Sequence, residues 1–137
     1  IPVTILRTGV VLSKTGGALE KMRTPIVSPL GSGNQYLAWI HIDDLCNLYI
    51  KAVEEDFEGV YNTVSPESHT NRTFSKTLAK AIKRPYLPIA VPGLLLKLVF
   101  GELAIILLEG SRLSSGKIEK KGFVFKYIEL KRALESL

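Results

Sequence analysis

The run Tyr36-Leu37-Ala38-Trp39-Ile40-His41-Ile42-Asp43-Asp44-Leu45 changes its period partway along. Up to Ile42 it is apolar and extended, with His41 alternating against Ile40 and Ile42. From Asp43 onward, Leu45, Leu48, Tyr49, Ala52 and Val53 take the i, i+3, i+4, i+7, i+8 spacing of an amphipathic helix. Asp43 is its natural N-cap, and Asp44 adds negative charge at the positive end of the helix. A strand feeding directly into a helix is the repeating unit of an α/β protein.

The same alternation extends in both directions. Val3–Leu6 is β-branched and apolar, a buried strand. Gly16 and Gly17 open a short helix carrying Ala18, Leu19 and Met22, which Pro25 closes. Ser28–Asn34 is a loop rich in Pro, Gly and Ser. After Gly59, Val60–Val64 is a second strand. Thr70 or Asn71 caps a helix with Phe74, Leu78, Ala81 and Ile82 on one face, ended by Arg84-Pro85. Tyr86–Leu108 is the most apolar stretch. Pro88, Pro92, Gly93, Lys97, Gly101 and Glu102 interrupt it, so it reads as two short helices broken near Gly101, not a membrane span. A last helix presents Leu130, Ala133, Leu134 and Leu137 to the core.

The chain has 137 residues, 46% of them hydrophobic and 23% charged, which fits one globular domain or a piece of a larger one. The single cysteine, Cys46, forms no internal disulfide, which favours a reducing, cytoplasmic setting. With His41 and His69 it does not complete a structural zinc site. The chain starts at Ile1, inside a strand-like run and without a leader pattern, so it reads as a fragment.

Its net charge of +5 is unevenly spread. Residues 68–101 contain no acid against Arg72, Lys76, Lys80, Lys83, Arg84 and Lys97. Such a block either docks an anionic partner or is a solvated basic face. No aromatic-interleaved or base-reading motif accompanies it, so neither nucleic acid nor membrane is an expected partner.

Catalytic signatures are missing: no G-x-G-x-x-G, no Walker loop, no G-x-S-x-G elbow and no paired-His metal motif occurs. Gly31-Ser32-Gly33 is an ordinary turn. Asp43 and Asp44 point about 100° apart on a helix and do not share a site. His41 either lines a ligand cleft or is a hydrogen-bonded core histidine. Trp39 is either core or pocket wall. His69 sits inert in a loop, and Cys46 is a small hydrophobe on a packing helix. Arg7, at the carboxyl end of a strand, either touches a ligand or pairs with Asp43 or Asp44.

Several runs together carry a resemblance: Leu6-Arg7-Thr8-Gly9-Val10-Val11, Gly16-Gly17-Ala18-Leu19, Pro29-Leu30-Gly31-Ser32-Gly33-Asn34-Gln35 and Trp39-Ile40-His41-Ile42-Asp43-Asp44-Leu45. In this order they resemble the C-terminal half of the extended short-chain dehydrogenase/reductases, the NAD-dependent epimerase/dehydratase superfamily. Tyr61-Asn62-Thr63-Val64-Ser65-Pro66, Phe100-Gly101-Glu102, Leu107-Leu108-Glu109-Gly110-Ser111-Arg112 and Lys121-Gly122-Phe123-Val124-Phe125 are similar to its nucleoside-diphosphate-sugar epimerase subgroup, which ends in a small domain of unnamed function.

The resemblance implies the last strands and helices of a Rossmann-type doubly wound sheet over residues 1–64, with a small helical substrate lobe over 65–137. It implies cofactor contacts from Arg7, Thr8 and Gly9, and substrate contacts from Gln35, Trp39, His41 and Arg112, with no catalytic or metal-binding residue in this chain. The dinucleotide loop and catalytic Tyr-x-x-x-Lys of that family precede the part represented here. Tyr127–Lys131 has this spacing by coincidence, at the wrong place in the fold.

The expected function is therefore the substrate-binding part of an NAD(P)-dependent sugar-nucleotide epimerase or oxidoreductase. By itself the chain is expected to be inactive and to hold no cofactor tightly, and it is expected to self-associate through unpaired strands and uncovered apolar surface. Its expected partner is a small molecule such as a nucleotide sugar. The alternative is a non-catalytic basic module for an anionic partner.

Overall fold

The computed structural model describes residues 1–110 and 112–137; Ser111, within one of the family-like runs, lies outside the described residues. The first strand segment, β1 (Thr4–Thr8), runs almost directly into β2 (Val10–Leu12), and Gly9 between them is where the chain changes partners. Before Gly9, β1 pairs in parallel with β5 (Gly59–Thr63), from Thr4 opposite Gly59 to Thr8 opposite Thr63. After it, β2 pairs in parallel with β4 (Trp39–His41), Val10 opposite Trp39. A Cβ on residue 9 would lie 2.7 Å from the Ala38 carbonyl oxygen and 3.0 Å from Val64 Cγ1, so only glycine lets both partners approach. A third pair, β3 (Tyr36–Leu37) with β6 (His69–Thr70), is antiparallel. Among the described residues no strand pairs with the outer edge of β1, and Val3 and Ile5 beside it are 60% and 50% exposed.

The helices are α1 (Gly17–Met22), α2 (Ile42–Glu54), α3 (Asn71–Ala81), α4 (Gly93–Phe100), α5 (Leu103–Leu108), α6 (Gly116–Lys120) and α7 (Leu130–Glu135). Thr70 caps α3 through its hydroxyl, as its position before the apolar stripe predicts. The apolar stretch breaks at Gly101 into α4 and α5, and among the described residues no helix is long and apolar enough to cross a membrane. Two clusters form the core. One joins Leu12, Leu19, Leu37 and Trp39 to Phe74, Leu78, Leu107 and Leu130; the other joins Ile40, Leu48 and Tyr61 to Ile118, Phe123 and Phe125. Each cluster thus draws on residues from both sides of position 64.

Helix α2 corrects three expectations. Its N-cap is His41, whose ring nitrogen Nδ1 accepts the Asp43 N–H at 3.0 Å, so the helix starts two residues earlier than an Asp43 cap requires. Its buried stripe is the narrow set Asp44, Leu48 and Ala52, which leaves Tyr49, Val53 and Cys46 exposed. Asp44 is no solvated first-turn charge: it is 1% exposed, and its two carboxylate oxygens accept the backbone N–H groups of Lys126 and Tyr127 at 2.8 and 2.9 Å. Two charge-assisted bonds are what allow a carboxylate to be buried there.

Between α5 and α6 the chain passes tightly beneath β3. A Cβ on Gly110 would stand 1.6 Å from the Tyr36 carbonyl oxygen, so any side chain forces the two segments apart. The Gly110→Ala variant is expected to lose about 3 kcal/mol in denaturant unfolding. Gly101→Ala meets no atom within 4 Å but has φ +61 with ψ −130, a combination nearly confined to glycine, and is expected to lose about 2 kcal/mol.

Candidate functional site at the carboxyl ends of the strands

Parallel strands end together, and in open α/β sheets the crevice beyond their carboxyl ends takes the ligand. Here β1 and β5 end at Thr8 and Thr63, whose hydroxyl oxygens lie 3.0 Å apart, with Thr63 Oγ1 also 3.2 Å from the Arg7 carbonyl oxygen. Beyond them opens a cleft with two lobes, each about 380 Å³, the size of a small-ligand pocket. The first is mainly apolar, with Thr8, Gly9 and Tyr36 facing Ile105, Ile106 and Glu109. The second is polar, lined by Ser68, Arg112, Ser114, Ser115 and Glu119. Leu113 lines both. Arg112 is exposed, its guanidinium 5.8 Å from the centre of the Tyr36 ring, which holds the cation against the wall of the cleft. Among the described residues it forms no ion pair.

The structure brings Thr8, Gly9 and Arg112 to this cleft and puts the other sequence candidates behind or beside it. Arg7 is exposed on β1 and makes no ion pair with Asp43 or Asp44. The Gln35 amide nitrogen donates to the Leu30 and Leu107 carbonyls at 2.8 and 3.0 Å, tying the turn at 30–35 to α5. Trp39 is 1% exposed, its indole N–H donating to the Glu67 carbonyl at 3.0 Å.

His41 resolves into the core alternative. It is 3% exposed, stacked on Tyr127 with ring centres 3.9 Å apart, and its Nε2 is 2.8 Å from Ser136 Oγ. Because Nδ1 accepts from Asp43, the ring proton sits on Nε2 and is donated to Ser136, whose own hydroxyl donates to the Ala133 carbonyl at 2.6 Å. His69 is not free either: Nε2 bonds the Glu67 carboxylate and Nδ1 lies 3.2 Å from Thr73 Oγ1.

Sequence reasoning did not single out Tyr36, Glu109, Leu113 or the serines of the polar lobe. The available signal was the Glu109-Gly110 step, whose glycine the close pass under Tyr36 requires. Three of the six side chains of the basic block have internal partners: the Arg72 and Arg84 guanidiniums donate to the Ser32 and Arg23 carbonyls, and Lys76 lies over Tyr86. Among the described residues no cluster of His, Cys, Asp or Glu is arranged to hold a metal ion.

Strands that end together at an open crevice, backed by a helical lobe, are the arrangement found in part of a Rossmann-type fold, and known proteins resemble the chain in this way. The family described as Domain of unknown function (DUF1731) matches residues 91–137. Over 98% of its length the chain is 38% identical to an epimerase family protein of Staphylococcus aureus strain MRSA252, of which it covers 46%. The crystal structure of human epimerase family protein SDR39U1 with NADPH superposes with a TM-score of 0.86 at 37% identity, over 97% of this chain and 47% of that one. A nucleoside-diphosphate sugar epimerase from Corynebacterium glutamicum gives 0.67 at 27% identity, over 97% of this chain and 25% of that one. The resemblance read from the sequence is thus shown: almost from end to end, the chain is similar to the DUF1731-carrying part of epimerase family proteins. It spans about half the length of the curated relatives it matches.

Burial lowers the pKa of His41 from its ordinary 6.5, with Lys126 adding to the effect and Asp43 and Asp44 opposing it. The unfolded chain therefore takes up a proton that the folded chain resists. This contribution to stability is complete above pH 6.5 and is lost as the pH falls below it. The thermal midpoint is expected to drop between about pH 7 and about pH 5, and His41→Gln to flatten that drop. An unchanged slope in the variant would remove His41 as its source.

Proposed function

We propose that this chain forms the substrate-side wall of an NAD(P)-dependent nucleotide-sugar epimerase or related oxidoreductase, with residues 1–64 completing the dinucleotide-binding domain and 65–137 forming the substrate lobe. The observation that carries the reading is the two-lobed cleft at the carboxyl ends of β1 and β5, apolar beside Thr8 and Gly9 and cationic at Arg112. Arg7, Thr8 and Gly9 border the cofactor. Arg112 holds an anionic group of the substrate, the diphosphate of a nucleotide sugar, because a guanidinium presents paired N–H donors to phosphate oxygens. Gln35, Trp39 and His41 serve the substrate side from behind, by holding the turn at 30–35, the Ser65–Glu67 segment and the C-terminal helix in place. The NADPH in the human relative's structure supports NAD(P) as the cofactor of the whole protein. The described residues hold no glycine-rich phosphate loop at a helix N-terminus, so alone they bind dinucleotide feebly and turn nothing over. The free thiol of Cys46 fits a reducing, cytoplasmic compartment.

Titration of the 137-residue chain with UDP-glucose, followed by backbone NMR shifts, tests the substrate assignment. Saturable shifts at Tyr36, Arg112 and Ser114 are expected, with affinity falling about tenfold in Arg112→Ala. Shifts confined elsewhere, or undiminished in that variant, would overturn it.

The open edge of β1 and the exposed Val3 and Ile5 beside it support self-association of the chain through strand pairing. Sedimentation is expected to show concentration-dependent dimers; a monodisperse monomer at high concentration would refute this.

A further inference from the structure

A second cavity lies between α1, the segment at 24–30 and α4, and it shares none of its lining with the two lobes of the cleft. It holds about 180 Å³, and its walls are mainly apolar: Met22, Val27, Leu30, Leu96, Val99 and Phe100. A dry, apolar cavity of about 150 Å³ is enough to take a six-carbon ring. Met22, Val27, Leu30, Leu96 and Phe100 also belong to the larger core cluster, so the cavity is a gap at the edge of that core. Leu96 and Phe100 are the buried side of α4, while Val99, on the same helix, forms the cavity margin and is 60% exposed.

The margin is not electrically neutral. Lys21, in the last turn of α1, lines the cavity with its ammonium 6.0 Å from the centre of the Phe100 ring. Among the described residues it has no carboxylate partner. No acidic side chain lines the cavity at all. Apolar walls of this volume with one unpaired ammonium at the margin complement a molecule with a short apolar body and a single anionic end.

We propose that this cavity is a second small-molecule site, taking a short-chain monocarboxylate of about six carbons with its tail against Leu96 and Phe100 and its carboxylate at Lys21. The site is independent of the nucleotide-sugar reading, since it shares no lining residue with the cleft.

Hexanoate is the probe, with hexan-1-ol as its uncharged counterpart, titrated into the 137-residue chain and followed by methyl NMR. Hexanoate is expected to saturate with a dissociation constant on the order of 1 mM, with intermolecular NOEs to the methyl groups of Met22, Leu96 and Val99. Lys21→Gln is expected to weaken hexanoate about fivefold and leave hexan-1-ol unchanged. Val99→Trp, which fills the cavity from a position already more than half exposed, is expected to abolish both.

Absence of saturable binding, or NOEs to other methyl groups, would overturn the site. Equal binding of acid and alcohol with no effect of Lys21→Gln would overturn the carboxylate assignment. The NOEs come from the unsubstituted chain, so the test stands even where a variant fails to fold.

Discussion

The rest of the structure depends on the burial of the Asp44 carboxylate. A charge taken out of water is tolerated only where donors replace the water, and here both replacements come from the backbone of Lys126 and Tyr127. Next to it, His41 uses one ring nitrogen to cap α2, the other to bond Ser136, and its face to stack on Tyr127. Three consecutive structural tasks, ending β4, starting α2 and anchoring the last segment of the chain, thus fall on residues 41–44. Apolar packing repeats the pattern, since Phe123 and Phe125 join Ile40 and Leu48 in one cluster. The DUF1731 segment at 91–137 is therefore packed into the strands of the first sixty residues and does not hang beside them.

The cleft follows from two close approaches that only glycine allows. Gly9 lets one continuous stretch of chain pair with β5 and then with β4, which sets Thr8 and Thr63 side by side at the carboxyl ends. Gly110 lets the chain after α5 slide under Tyr36, which brings Arg112 across to the Tyr36 ring. Removing either would move one wall against the other. The apolar side of the cleft is formed by Ile105 and Ile106, half-exposed on α5, which suits a surface that completes itself against a ligand or further protein.

Much of the fold was legible because local signals and global packing agree there. The strand-to-helix switch after Trp39-Ile40-His41, the Thr70 cap, the break at Gly101 and the apolar face of the last helix all follow from spacing and residue type. The site was less so. Arg112 was recognisable only through the family-like run that ends in it. Trp39, His41 and Gln35 sit in such runs as well, yet their polar atoms are taken up by backbone or core partners. Alternation puts His41 on the face opposite Ile40 but does not say what covers that face; both faces of β4 are covered, by α2 on one side and by Tyr127 and the end of α7 on the other. Asp44 looked like a solvated charge because its partners lie more than eighty residues away, where no local pattern points back to it.

That separation also has a bearing on how the chain acquires its structure during synthesis. Residues 41–44 leave the ribosome long before Lys126, Tyr127 and Ser136 exist as partners. Until those arrive, a carboxylate and an imidazole sit at the mouth of a nascent helix with no reason to leave water. The strands and α2 therefore wait, loosely formed, until residues 126–136 have been made, and the cooperative step belongs to a chain that includes them. A chain stopped before residue 126 would lack both amide donors of Asp44 and the Ser136 partner of His41, together with the core residues Leu130, Ala133 and Leu134. It would thus be a natural client for chaperones and proteases.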